Sequence, residues 1–309
     1  MSKLADKIKN KEAGIVLYGM TPPKKNTELE RVREIAAKHV DRIKNLDIDG
    51  IVLYDIQDES SRTEEERPFP FLPTFEPQKY SSDFLSDLDL PKVLFQCVGK
   101  HGKESLKRWM QENIASGDLA VFVGNSSSSQ KVEVSMEKAF DLRNEFASEM
   151  LVGGVAIPER HFMKKDEHLR MFNKIQQGVS YFTTQAVYNV EASKNMLSEY
   201  YYHAKKYNLE MAPIMMTFSP CGSKKTMEFM KWLGIHFPKW LKNDLLYSKD
   251  ILAQSTELCV RNFKELLNYA LYKGIPIGCN IESVSVRKDE IDASVEMLEN
   301  MKELIEKKV

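Results

Sequence analysis

Polar side chains recur directly behind apolar, β-type runs of this chain. Asp55, Asp58 and Glu59 lie at or just past residues 50–56 (GIVLYDI), Gln96 lies within 92–98 (KVLFQCV), and Asn125 and Ser126 follow 119–123 (LAVFV). Glu159, Arg160 and His161 follow 152–157 (VGGVAI). Thr183, Thr184 and Gln185 close the run beginning at Val179, Thr217 and Ser219 close that beginning at Met211, and Asn280, Glu282 and Ser283 end 275–281 (IPIGCNI). Amides and hydroxyls both donate and accept, which suits the orientation of a polar heterocycle. The carboxylates are candidates for general acid or base work. A metal centre would need several His or carboxylates to converge, and their wide separation makes one unexpected. Cys97 and Cys279 sit inside β-type runs with no histidine paired to them by spacing, so nucleophilic catalysis leaves no signature. The serine run 126–129 could offer backbone amides to a phosphate, the simpler reading being a solvated loop. His203, in YYYHAKKY, reads as a helix-surface residue, and Glu64, Glu65 and Glu66 as a solvated face.

These positions fall into a regular scheme. Short apolar runs alternate with stretches of 3.6-residue periodicity, such as Leu29, Val32, Ile35, Ala36, Val40, Ile43 and Leu46 behind a cap at Asn26 or Thr27. Further helices are expected near 103–115, 134–149, 165–177, 190–206 and 287–307. Strands alternating with helices demand parallel pairing, and eight such units make a (β/α)8 TIM barrel. An open dinucleotide-binding sheet would want a GxGxxG turn after the first strand, where this chain has Tyr18-Gly19-Met20-Thr21-Pro22-Pro23. The expectation is a single domain over 1–309 with insertions after strands two and seven. The first, 57–80, carries Pro68, Pro70, Pro73 and Pro77, which argue against helix. It leaves the strand ends, where lids and binding loops are common. The second, about 233–257, contains Phe237-Pro238-Lys239-Trp240 and extra helix.

Composition narrows the function classes. Among 309 residues, 44 basic and 45 acidic side chains leave a net charge of −1, against the basic surplus of a dedicated nucleic-acid binder. No apolar run approaches the ~20 residues of a membrane span, and the first residues lack the apolar core of a secretory signal. The four cysteines, Cys97, Cys221, Cys259 and Cys279, are scattered, with no CxxC pair. They read as reduced, buried thiols in a cytoplasmic protein with no nucleic-acid or membrane partner. Nothing in the sequence requires or forbids a homo-oligomer.

Residues 154–161 (GVAIPERH), 174–191 (KIQQGVSYFTTQAVYNVE), 212–216 (APIMM) and 237–241 (FPKWL), with the Tyr-x-x-x-Pro-Pro stretch at 18–23, resemble the methylenetetrahydrofolate reductase family in order and spacing. The match is sharpest over 154–191. The resemblance implies a TIM barrel that delivers a hydride to 5,10-methylenetetrahydrofolate, giving the 5-methyl form, with NAD(P)H as donor and FAD as the usual relay. It implies substrate contact by Gln185 and places His161 beside the flavin, with Asn125, Ser126 and Thr184 on the same side. Gln96, Asn280 and Ser283 complete the expected substrate-binding set.

This chain departs from the family pattern at telling places. Gly19 stands where the family carries its catalytic Glu. Val123-Gly124-Asn125 replaces an Arg-Gly-Asp at the end of strand four, and Glu167, Arg170, Asn173 and Lys174 stand nearest an altered polar ladder. The resemblance therefore implies a divergent reductase with an altered or absent flavin, in which another carboxylate supplies the proton. Glu282 is the first expected replacement and Asp55 the second, with Glu59 and Glu159 behind them. The alternatives are a folate-dependent one-carbon transferase and a non-catalytic folate-binding barrel.

Overall fold

The structure, a computed structural model, describes residues 2–60, 64–124 and 132–309. Its strands are β1 (Val16–Met20), β2 (Gly50–Leu53), β3 (Lys92–Cys97), β4 (Leu119–Val123), β5 (Val152–Ala156), β6 (Val179–Thr184), β7 (Ile214–Phe218) and β8 (Ile277–Glu282). They run parallel in chain order and close into a barrel, the (β/α)8 architecture expected from the alternating pattern. The helices are α1 (Lys3–Lys9), α2 (Leu29–Ile43), α3 (Pro77–Phe84), α4 (Lys103–Ser116), α5 (Met136–Phe146), α6 (Pro158–Lys164), α7 (Glu167–Gln176), α8 (Val190–Tyr207), α9 (Lys224–Trp232), α10 (Lys239–Leu246), α11 (Ile251–Tyr272) and α12 (Lys288–Glu306).

The chain divides into two compact units, Met1–Ala5 with Gly19–Gly153, and Asp6–Tyr18 with Gly154–Val309. In the first, Val93 to Cys97 of β3 register with Leu119 to Val123 of β4. Phe122 of β4 packs on Trp109 of α4 and Phe140 of α5, with ring centroids 6.3 and 5.6 Å apart. Burying an aromatic side chain of this size contributes roughly 2–3 kcal/mol. In the second unit Ile214 to Phe218 of β7 register with Ile277 to Ile281 of β8. Helix α11 covers that pair because Leu258, Cys259, Asn262, Phe263, Leu266 and Ala270 fall on one buried stripe. The Asp250 carboxylate caps its start by accepting from the Ala253 N–H at 3.0 Å.

Several elements differ from the sequence reading. Helix α2 starts at Leu29, two residues past the expected caps, and Glu28 at its N-cap makes no side-chain cap bond. The segment 57–80 is not free of helix: Pro77 opens α3, where its missing N–H and fixed φ are assets. That segment is also pinned to the exit of β1, since Lys25 N–H donates to the Pro73 carbonyl at 2.8 Å and Phe75 N–H to Pro23 at 2.9 Å. Residues 158–161 form the first turns of α6, again opened by a proline, instead of a plain loop. All four cysteines are free and buried, as expected. Among the described residues no helix is long and apolar enough to cross a membrane.

Candidate functional site

In barrels of this kind the strand ends that lead into the following helices carry the chemistry. In the second unit those of β5 to β8 bring a polar set together. Thr217 N–H donates to Thr184 Oγ1 at 2.9 Å, and the Asn280 amide donates to Thr217 Oγ1 at 3.1 Å. Two expected site residues, Thr184 and Asn280, thus join one buried network through Thr217, whose role was not singled out. Beside them Thr183 Oγ1 is buried and has no hydrogen-bond partner among the described residues. A buried hydroxyl without a partner costs about 1–3 kcal/mol, so such an atom is a natural ligand contact. Ser283 is engaged in its own loop: its hydroxyl donates to the Ser285 carbonyl at 2.9 Å. Glu282 is half-buried at the end of β8.

A turn after α9 builds the other side of this site. Gly234, at φ 94°, lets α9 end in the left-handed turn that returns Ile235 N–H to the Met230 carbonyl. The chain then lays residues 233–237 over the exits of β5 and β6. Gln185, held to β5 by its N–H on the Ala156 carbonyl, donates its side-chain amide to the Leu233 carbonyl at 2.7 Å. The Asn189 amide meets His236 Nδ1 at 3.3 Å, the Phe162 ring stacks on His236, and Tyr188 packs on Phe237 with centroids 4.2 Å apart.

Glu159 lies under this turn, 8% exposed. Its Oε2 has no hydrogen-bond partner among the described residues. Burial pushes its carboxyl up to about 7, against a smaller opposing pull from its own N–H and that of His236. Its helical neighbour Arg160 is turned elsewhere, onto the fully buried Glu167 at 3.0 Å. Glu167 Oε1 also accepts from the Ile157 N–H at 3.0 Å, so this carboxylate ties the exit of β5 to α6 and α7. Close by, Lys174 donates to the Val155 carbonyl at 2.6 Å, and burial pulls its ammonium down to about 8.

Of the residues expected beside a flavin, His161 and Thr184 lie among the described residues. His161 is buried and packs its ring on His168 of α7 at 5.4 Å, and His168 in turn packs on His203 of α8 at 5.5 Å. Desolvation lowers the pKa of both His161 and His168. His203 is therefore part of an aromatic layer with Phe172, not a bare helix surface. Thr184 Oγ1 accepts from the Thr217 N–H, a bond that leaves its own O–H to donate. Asn125, Ser126 and the rest of the serine run lie outside the described residues. Among the described residues no group of His, Cys, Asp and Glu could hold a metal ion.

The first unit holds the remaining expected residues. Asp55 accepts from the Cys97 N–H at 2.9 Å and pairs with Lys100 at 2.5 Å, so both its oxygens are engaged as acceptors at the exits of β2 and β3. That geometry belongs to a tie between strand exits better than to a proton donor. Gln96 is buried, donates to His101 Nε2, and has an Oε1 with no partner among the described residues. A cleft of about 350 Å³ lies between α3 and α4, lined by Lys79, Ser82, Ser105 and Arg108 among others, and contains none of the expected ligand-binding or catalytic residues.

Sequence reasoning named Thr217, Glu167 and Lys174 without giving them a role, missed Leu233 and His236, and ranked Glu159 low. The proline at 158 was a readable cue for α6. The return of residues 233–237 over β5 and β6 had no local cue.

No protein-family profile matches the chain, and no curated protein sequence does. Solved structures do match. The ligand-free tryptophan synthase of M. tuberculosis aligns over 99% of both chains with TM-score 0.52 at 7% identity, a likeness of fold alone. A protein of Clostridium thermocellum, described as uncharacterized and as binding two copies of 5-methyl-5,6,7,8-tetrahydrofolic acid, is 49% identical over 98% of this chain and 99% of its own, with TM-score 0.87. At that identity over the whole length, this chain belongs to the same family as the Clostridium thermocellum protein.

Proposed function

We propose that this chain binds a reduced folate and acts on its one-carbon unit as a divergent member of the methylenetetrahydrofolate reductase family. The observation that carries the reading is the 49% identity, over nearly the whole chain, to a protein that binds 5-methyltetrahydrofolate. The site supports it with groups suited to a pterin: the amide of Gln185, the hydroxyl of Thr183 and the network of Asn280, Thr217 and Thr184. The buried free thiols fit a reducing compartment such as the cytoplasm.

In the proposed reaction the bond between N10 and the methylene bridge breaks, and its electron pair goes to N10, which takes up a proton. The iminium carbon left on N5 accepts a hydride from NAD(P)H, giving a 5-methyl group and NAD(P)+. Because Val123-Gly124-Asn125 replaces the family's Arg-Gly-Asp near the flavin, the proposed hydride passes directly from the nicotinamide, and no step runs through FAD. The test is oxidation of NADH or NADPH by flavin-free protein, started by 5,10-methylenetetrahydrofolate, with 5-methyltetrahydrofolate identified as product. Folate binding without oxidation of either nucleotide would assign the chain to the non-catalytic reading, which Gly19 at the end of β1 favours, since glycine has no proton to give.

Gln185→Ala is expected to weaken 5-methyltetrahydrofolate binding about tenfold, the loss of one good hydrogen-bonded group. Its stability cost should stay near 1 kcal/mol, because only the bond to the Leu233 carbonyl is lost. Titration calorimetry beside a urea melt separates the two effects. Unchanged affinity with a large stability loss would make Gln185 a structural strut.

A further inference from the structure

Of Asp55, Glu167, Glu290 and Glu159, Glu159 alone has no cation within ion-pair distance among the described residues. Asp55 is paired with Lys100 and bonded to the Cys97 N–H. Glu167 is held by Arg160, Arg170 and the Ile157 N–H. Glu290, at the start of α12, accepts from Thr226 Oγ1 at 3.0 Å and faces Arg287. Each has a cation beside it, although Glu290 Oε2, like Glu159 Oε2, is buried without a hydrogen-bond partner among the described residues. Glu159 has no ion-pair partner of this sort: it is 8% exposed, and one carboxyl oxygen is buried without a hydrogen-bond partner among the described residues. Keeping a charged carboxylate there would be costly, whereas a neutral acid keeps an O–H that needs an acceptor. It stands at the C-terminal end of β5, in the same cluster as Gln185 and under the turn 233–237.

We propose that Glu159, as a neutral carboxylic acid, donates its O–H to the N5–N10 amine edge of the bound folate. This rests on the folate-binding reading above. In the complex with 5-methyltetrahydrofolate the O–H makes a hydrogen bond. When the methylene bridge opens, the proton goes to the departing nitrogen, the carboxylate is left behind, and solvent returns the proton after product leaves. Glu159 then takes over the duty that Gly19 cannot perform, and Glu282 and Asp55 are released from it.

The titratable neighbours are accounted for element by element. On α6, Arg160 is committed to Glu167 and His161 to the ring of His168. From α7 come Glu167, Arg170 and Lys174, whose charges are tied to one another or to the Val155 carbonyl. From α8, Glu199 and His203 act on His161 and His168. From the turn after α9, His236 presents its backbone N–H to Glu159 and its ring to Asn189 and Phe162. The assignment to Glu159 comes from a substitution.

With the carboxyl at about 7 in the free protein, the donor is present below that pH and lost above it. Affinity of the wild-type chain for 5-methyltetrahydrofolate should therefore be level from pH 6 to 7 and fall about tenfold per unit beyond. Calorimetry at pH 8 in buffers of different ionisation enthalpy should report close to one proton taken up on binding. Glu159→Gln keeps an N–H donor but no titration: its affinity should vary less than threefold over the same range, with no proton uptake. In the methylenetetrahydrofolate-dependent reaction its kcat should fall about a hundredfold, the low end of what a general acid contributes. A wild-type affinity that is level to pH 8.5 with no proton uptake overturns the proposal without the variant. So does a Glu159→Gln profile that copies the wild type. A wild-type chain that binds no folate at any pH instead removes the reading on which the proposal rests, and the proposal with it.

Discussion

Replacing Glu167 by alanine is expected to destabilise the protein by about 3–5 kcal/mol, the usual consequence of removing one partner of a buried ion pair. The side chain is fully buried, and its two oxygens serve Arg160 at 3.0 Å, Arg170 at 3.6 Å and the Ile157 N–H at 3.0 Å. Alanine would leave the Arg160 guanidinium, largely covered, and a backbone donor at the end of β5 without an acceptor. Glu167→Gln keeps an acceptor for the Ile157 N–H but not the charge, so its loss should be clearly smaller. Urea unfolding of the two variants beside the wild type decides the point, and a loss below about 1 kcal/mol for alanine would show that the cluster is dispensable. The consequence reaches the site, because Glu167 fixes the start of α6 on which Glu159 is carried.

Gly278→Ala should be the more disruptive of two glycine substitutions by a wide margin. A Cβ at 278 would stand 2.2 Å from the Ile15 carbonyl oxygen and 3.0 Å from the Ile15 carbonyl carbon and nitrogen. These are backbone atoms that cannot rotate away. They are held by the bonds Cys279 N–H to Ile15 O at 2.8 Å and Gly14 N–H to Ile277 O at 2.7 Å. Relief requires the segment around Ile15 to draw off β8, giving up both bonds, for a total of about 3 kcal/mol or more. At Gly102 the added Cβ meets only the end of the Glu133 side chain, at 3.0 Å, which can swing aside. Gly102→Ala should stay within about 1 kcal/mol of wild type. Equal melting temperatures for the two variants would contradict the close approach at 278.

The sequence made the barrel readable because each unit repeats one physical pattern. An apolar β-type run with polar residues at its exit is followed by a stretch of helical period, as in LAVFV before α5 or VSYFTT before α8. The boundaries that moved did so where a proline reads two ways: Pro77 and Pro158 look like breakers in the chain and serve as helix starts in the fold. The residues at the strand ends were also legible, and Thr184, Gln185 and Asn280 do stand at the exits of β6 and β8. Their pairing was not. Whether a carboxylate is tied or left over depends on what tertiary packing brings to it, and sequence does not say that Lys100 reaches Asp55 while, among the described residues, no cation pairs with Glu159. The fold ties Asp55 to Lys100, and it buries Glu159 with one oxygen unpartnered among the described residues.

The central claim is that this chain binds a reduced folate. Titration calorimetry of the purified, flavin-free protein with 5-methyltetrahydrofolate at pH 6.5 tests it most directly. The account predicts a saturable isotherm with Kd in the micromolar range, about −8 kcal/mol of binding free energy. The same titration with Gln185→Ala should be weakened about tenfold. No saturable heat up to millimolar ligand, from protein that melts cooperatively in the same buffer, would contradict it.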